Sequence, residues 1–160
     1  MKKLLFVVVT LAVVMLFTSA SSDNKKGGIV GSHASDFTIG NDDGMVSLSQ
    51  LRGKHVLITL WSSADVVSRL DNIKYDRYIS KSPNVVQLSV NFDRSKALFD
   101  ELVAADSLNA SGQYYCEVQD RSTFEKKWGI GKQFNTYLIG PSGNVVAVNP
   151  TDQEINRLVK

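Results

Sequence analysis

The sequence predicts one α/β domain, a central mixed β-sheet flanked by helices and preceded by an N-terminal β-hairpin. Three features carry that expectation. The run His55 to Trp61 holds Val56, Leu57, Ile58 and Leu60 almost without interruption, the pattern of a strand covered on both faces. A helical period follows it, and then a second apolar run, Val85 to Phe92, so the unit is strand, helix, strand with parallel pairing and a right-handed crossover. Alternating segments around Asn41-Asp42-Asp43-Gly44 and Gly140-Pro141-Ser142-Gly143 predict two hairpins, which bring antiparallel strands into the same fold.

Lys2 and Lys3 precede the apolar run Leu4 to Phe17 and the small residues Thr18, Ser19 and Ala20, the three-part pattern of a secretory signal over residues 1–20. The run falls short of the ~20 apolar residues a transmembrane helix needs, and an uncleaved membrane anchor is the alternative. No cysteine stands just after the run, so a lipid-modified signal has no attachment site. The expected product is periplasmic or secreted, with no stable membrane insertion once the signal is cleaved. Residues 21–33, rich in Ser, Gly and Lys, read as a flexible linker to an ordered domain at 34–160.

Within that domain Phe37 and Ile39 alternate with polar residues, as do Val46 and Leu48, on either side of the first turn. The acidic pair Asp42 and Asp43 lacks further oxygen ligands at calcium-loop spacing and reads as turn chemistry. From Asp65 the period is helical: Val66, Leu70 and Ile73 are expected to face the core, with Asp71, Lys74 and Arg77 toward solvent. Ser62-x-x-Asp65 and Ser63 resemble capping signals ahead of that helix. A second helix is expected over Ser95 to Ala105, with Leu98, Leu102 and Val103 on its apolar side. Tyr114 to Val118 predicts a short strand carrying Cys116, and Ser122 to Trp128 a short helix. Strands at Thr136 to Ile139 and Val145 to Val148 flank the second turn. The capping box Thr151-x-x-Glu154 opens a last helix that presents Ile155, Leu158 and Val159.

Composition narrows the function classes. The chain of 160 residues is 43% apolar and 21% charged, an ordinary globular balance. Setting aside Lys2 and Lys3 leaves sixteen basic against sixteen acidic residues, so nothing in the charge favours nucleic acid or an anionic membrane as partner. A single cysteine, Cys116, admits no intramolecular disulfide. No Walker loop or dinucleotide fingerprint is present, and His33 and His55 lie apart without paired cysteines, so neither a cofactor nor a metal is expected. Asn109-Ala110-Ser111 matches a glycosylation sequon, a three-residue pattern of low specificity.

Several ordered segments resemble one family. Ala34-Ser35-Asp36-Phe37-Thr38-Ile39 is similar to an A-P-D-F-x-L opening strand, and Val46 to Lys54 to an S-L-x-x-L-x-G-K segment. Leu60-Trp61-Ser62-Ser63 is similar to F-W-A-S, Trp128-Gly129-Ile130 to Y-G-V, and Thr136-Tyr137-Leu138-Ile139 to T-F-L-I. Gly140-Pro141-Ser142-Gly143 takes the place of a D-x-x-G turn. From Ala34 to Lys160 the chain thus resembles the thioredoxin superfamily, in particular the exported thiol-disulfide oxidoreductases of the TlpA/ResA type. The resemblance implies a thioredoxin-like fold with its site where the strand ending at Trp61 turns into a helix.

The departures fall on that site. Where the family has C-x-x-C this chain has Asp65 and Ser68, and where it has a cis-proline this chain has Phe134. A carboxylate at a helix start gains from the same field that stabilises a thiolate but cannot exchange sulfur. A cis bond costs a non-proline residue ~2.5–4 kcal/mol, so the loop at Phe134 is expected to take another shape. The simplest roles are an N-cap for Asp65, a first-turn helix residue for Ser68, a packing role for Phe134 and a buried apolar role for Cys116.

No catalytic residue is assigned. The expected function is an exported thioredoxin-like domain without thiol-disulfide redox activity. It would bind a protein or peptide of the bacterial envelope through Trp61, Ser63, Ala64, Asp65, Phe134 and Asn135. The alternative is a thiol-disulfide oxidoreductase or peroxidase-like enzyme using Cys116, and a folded spacer is a third reading.

Overall fold

A computed structural model describes residues 28–130 and 133–159, so the expected signal at 1–20 and the linker up to residue 27 lie outside the described residues. Strands β1 (Thr38–Asn41) and β2 (Gly44–Ser47) pair as an antiparallel hairpin, with Thr38 opposite Ser47. Five further strands form the main sheet: β3 (His55–Trp61), β4 (Val85–Asn91), β5 (Gln113–Tyr115), β6 (Thr136–Ile139) and β7 (Val145–Val148). Their order is β5-β4-β3-β6-β7. β3 runs parallel to β4, from His55 opposite Val85 to Trp61 opposite Asn91, and antiparallel to β6. The helices are α1 (Val66–Ile79), α2 (Lys96–Ala105), α3 (Val118–Trp128) and α4 (Asp152–Leu158). The α/β class, the mixed sheet and the N-terminal hairpin are those the sequence predicts.

Strand alternation gives the sheet two unlike faces. Val56, Ile58 and Leu60 of β3, with Leu88 and Val90 of β4, enter the main core beside Phe37, Phe92, Phe124 and Trp128. The rings of Phe37 and Phe124 meet at a tilt of 56° with centroids 4.8 Å apart, which fastens the segment leading into β1 to α3. The other face alternates apolar and polar. Leu57 joins Tyr75, Leu138 and Ile155 in a smaller cluster, while Trp61 joins Phe99, Leu108 and Tyr115 in a third. Between them lie the buried polar side chains Thr59, Gln87, Ser89 and Gln113.

That polar band corrects the expected facing of α1. Val66, Val67 and Leu70 are exposed, and the buried residues of the helix are Ser68, Asn72, Tyr75 and Asp76. Asn72 Nδ2 donates to Gln113 Oε1 at 3.1 Å, Gln113 Nε2 donates to Asp76 Oδ1 at 3.3 Å, and Asp76 accepts from the Asn109 N–H at 3.1 Å. Each buried polar group left unpaired costs ~1–3 kcal/mol, which is comparable with the ~1.5–3 kcal/mol gained by burying an aliphatic side chain, so several polar groups satisfied together set the facing of the helix. Ile73 alone of the expected apolar trio meets a core cluster. On α2 the buried residue is Phe99, with Leu102 and Val103 packed beside it and Leu98 exposed. Helix α3 starts four residues before the expected Ser122 and ends at Gly129, whose φ of 67° is the left-handed stop that glycine supplies.

The stretch 28–33, placed by its composition in the linker, is pinned to the last hairpin. The Gly31 N–H donates to Val145 O at 2.8 Å, Val145 N–H to Ser32 O at 2.9 Å, and Ala34 N–H to Gly143 O at 3.0 Å. Arg52 completes the clasp by donating to Ser142 O at 3.0 Å and to His33 Nε2 at 2.7 Å. Backbone pairing needs no apolar periodicity, which is why the composition of this stretch does not reveal it.

Candidate functional site at the start of helix α1

Three segments meet at the C-terminal ends of β3 and β4. The Phe92 N–H donates to Trp61 O at 2.8 Å, and the Leu60 N–H to Asn135 O at 3.1 Å. The rings of Phe92 and Phe134 lie 5.7 Å apart. Residues 61–68, 91–93 and 134–135 therefore share one corner of the molecule, with the N-terminus of α1 at its centre.

Asp65 is the N-cap of α1, its Oδ1 accepting from the Ser68 N–H at 2.7 Å. Ser68 is buried; its hydroxyl donates to Asp65 O at 3.0 Å and accepts from the Ser62 N–H at 3.3 Å. Both Asp65 and Ser68 are thus occupied in holding the first turn. Phe134 is half-buried and packs on the main core through Phe92, and every described peptide bond is trans. Asn135 is half-buried, with its Oδ1 accepting from Asn149 Nδ2 at 2.8 Å.

The two serines expected as caps have a different partner. Asp93, only 5% exposed, accepts from the Ser62 hydroxyl at 2.6 Å, the Ser63 hydroxyl at 3.0 Å, the Ser63 N–H at 2.9 Å and Asn91 Nδ2 at 2.9 Å. Arg121 donates to its backbone carbonyl. Burial pushes the Asp93 carboxyl up, but the hydrogen bonds from Ser62, Asn91 and Ser63 outweigh it and hold the group below the usual carboxylate range. A carboxylate so well supplied with donors is a weak base and does not activate either serine. Its chemistry is to lock the β3–α1 loop. Sequence reasoning missed Asp93, although an acid two residues after Asn91 at the end of an apolar strand is the signal that could have found it.

Of the six residues expected to contact a partner, Ala64 is exposed and Ser63, Asp65, Phe134 and Asn135 are half-buried. Trp61 is fully buried against Phe99, 6.2 Å between ring centroids, and takes no part in the surface. In its place the corner continues onto α1 through Val66, Val67 and Leu70, at 67%, 71% and 61% exposure. Positions i and i+4 or i+3 share one helix face, so the three form a single apolar strip.

Cys116 stands elsewhere, just past the end of β5, 1% exposed in the main core. Burial pushes its thiol up to about 12. A thiol so buried and so weakly acidic supplies neither access nor thiolate, which removes support from the thiol-enzyme alternative. Among the described residues no group of three His, Cys, Asp or Glu side chains is arranged to hold a metal ion, and no helix is long and apolar enough to cross a membrane.

Solved structures give the comparison that decides the fold. The chain superposes on a thioredoxin-like protein from Parabacteroides distasonis with a TM-score of 0.69 at 24% identity, over 83% of this chain and 96% of that one. The fold is thioredoxin-like. The thioredoxin domain of a thiol-disulfide oxidoreductase from Bacteroides vulgatus matches with a TM-score of 0.73 at 21% identity, over 82% of this chain and 99% of that domain. StoA from Bacillus subtilis matches with a TM-score of 0.63 at 12% identity, over 79% and 97% of the two chains. No protein-family model and no curated protein matches the sequence.

Proposed function

We propose that this chain is an exported thioredoxin-like domain without thiol-disulfide redox activity that binds a protein or peptide in the bacterial envelope. Export rests on the signal-like pattern of residues 1–20. The absence of redox chemistry rests on Asp65 and Ser68 at the family's cysteine positions, and on the burial of Cys116. The observation that carries binding is the strip Val66, Val67 and Leu70, exposed on α1 just after the exposed Ala64. Three aliphatic side chains in water at one corner are what a partner's apolar residues would cover.

Two measurements test this reading. Disulfide-reductase turnover is expected to be absent in the wild type and in Cys116→Ser, and to be gained by Asp65→Cys/Ser68→Cys. Cross-linking in envelope extract is expected to capture a discrete partner, lost in Val67→Asp/Leu70→Asp and weakened in Phe134→Ala. Wild-type turnover that disappears in Cys116→Ser, or a captured partner indifferent to all these substitutions, overturns it.

A further inference from the structure

We propose that His33 is a proton-operated latch: uptake of a proton by its imidazole releases residues 28–33 from the last hairpin, and near-neutral pH closes them onto it again. The device is separate from the α1 corner and does not depend on it.

Donor chemistry fixes the closed state. Arg52 Nη2 lies 2.7 Å from His33 Nε2, and a guanidinium can only donate, so Nε2 is bare and accepts. The neutral ring then carries its one proton on Nδ1, which donates to Asn144 Oδ1 at 3.2 Å. Both ring nitrogens are used, and Nε2 only while the ring is neutral. A proton on Nε2 removes the acceptor and sets an imidazolium against a guanidinium, two like charges in contact.

The surroundings offer that pair little relief. The β6–β7 turn meets it through Ser142, Gly143 and Asn144, none of them charged. Among the described residues no carboxylate comes within salt-bridge distance of His33 or Arg52. Asp36, on the same segment as His33, attracts Arg52 from farther off and accepts from the Ser49 N–H at 2.9 Å. Lys127 of α3 brings another cation to the segment at the Asp36 carbonyl.

The remainder of the segment is held lightly enough for two side-chain bonds to matter. Ile29 and Val30 are more than half exposed, so the segment is fastened by hydrogen bonds, those of Gly31 and Ser32 with Val145, and not by apolar burial. Ala34, buried in the main core, is the fixed end from which it swings. At the other end Gly28 lies on the Tyr137 ring, where an added Cβ would stand 2.8 Å from Cε1, so opening uncovers that ring. His33 is itself exposed, and a proton reaches it without prior opening. An imidazole free in water takes up a proton near pH ~6.5. Because the open state binds that proton and the closed state excludes it, closure is complete above that pH and weakens as pH falls below it.

The test is amide exchange on the full chain, read as protection factors so that the pH dependence of the exchange chemistry cancels. Protection at Gly31 and Val145 is expected to fall about tenfold or more between about pH 7.5 and about pH 5.5, while Leu48, bonded to Phe37 O, stays constant. His33→Gln keeps an acceptor for Arg52 but does not titrate, and is expected to abolish the step. His55→Gln is expected to leave it intact. Nitrogen chemical shifts of the His33 ring should place the proton on Nδ1 at about pH 7.5. A flat wild-type profile, an equal step in His33→Gln, or a proton on Nε2 at about pH 7.5 overturns the proposal. Should His33→Gln fail to close at all, the wild-type exchange profile and the ring tautomer decide alone.

Discussion

Replacing Asp93 by alanine tests whether the corner at α1 is a lock or a vestige. The change leaves the Ser62 hydroxyl and Asn91 Nδ2 buried without their acceptor, while half-buried Ser63 can turn to water. Each buried donor left unsatisfied costs ~1–3 kcal/mol, so Asp93→Ala is expected to lose about 3–4 kcal/mol at neutral pH. For a domain of this size that is a fall of ~10–15 °C in Tm, read by circular dichroism and checked by urea unfolding. The loss also has a pH signature. A carboxyl held below its unfolded value contributes stability that is complete above the unfolded pKa of ~3.9 and disappears as pH falls through the folded pKa below it. The gap between wild type and Asp93→Ala should therefore narrow steadily below about pH 4. A loss under about 1 kcal/mol, or a gap as wide at pH 2.5 as at pH 7, would refute the assignment of Asp93 as the charged keystone of this loop.

Further substitutions probe neighbouring features. Asp65→Ala removes the N-cap of α1 and is expected to cost about 1 kcal/mol in thermal or urea unfolding, with Asp65→Asn costing less. Native Cys116 is expected to alkylate at least about a hundredfold more slowly at pH 8 than in the unfolded chain, since burial withholds both access and thiolate. Because the unfolded thiol releases its proton first, this residue should lower stability by ~1.4 kcal/mol per pH unit above about pH 9. That slope, measured as the difference between wild type and Cys116→Ala, is the check. At Gly143, where φ is +82°, an added Cβ would overlap the Arg52 guanidinium, so Gly143→Ala is expected to cost about 1–3 kcal/mol and to speed amide exchange at Gly31. Val67→Asp/Leu70→Asp should change stability by less than about 0.5 kcal/mol per site, because both side chains are exposed.

Much of the architecture was legible because it is written in local patterns. The apolar run of β3 marked a strand at His55–Trp61, the turn around Gly140–Gly143 joined β6 to β7, and Thr151 with Glu154 opened α4 as a reciprocal capping box. The N-cap role of Asp65 was equally local. What stayed hidden depends on residues distant in the chain. The inward side of α1 is chosen by Gln113 and Asn109, neither visible from the period of the helix itself. Ser62 and Ser63 looked like caps, since nothing nearby announces a carboxylate thirty residues later. Trp61 looked available to a partner, because an aromatic beside a family motif carries no mark of its burial under Phe99.

The Asn72–Gln113–Asp76 chain has a consequence for the aliphatic side chains on the opposite side of α1. A helix seated only by oily contacts can roll a few tens of degrees and tuck stray leucines and valines out of water. This one cannot roll, since rotation toward burial of Val66, Val67 and Leu70 would pull Asn72 and Asp76 off their directional partners. The outward strip is consequently a display enforced from beneath, and its presentation should survive changes in temperature or solvent for as long as α1 stays docked on the sheet.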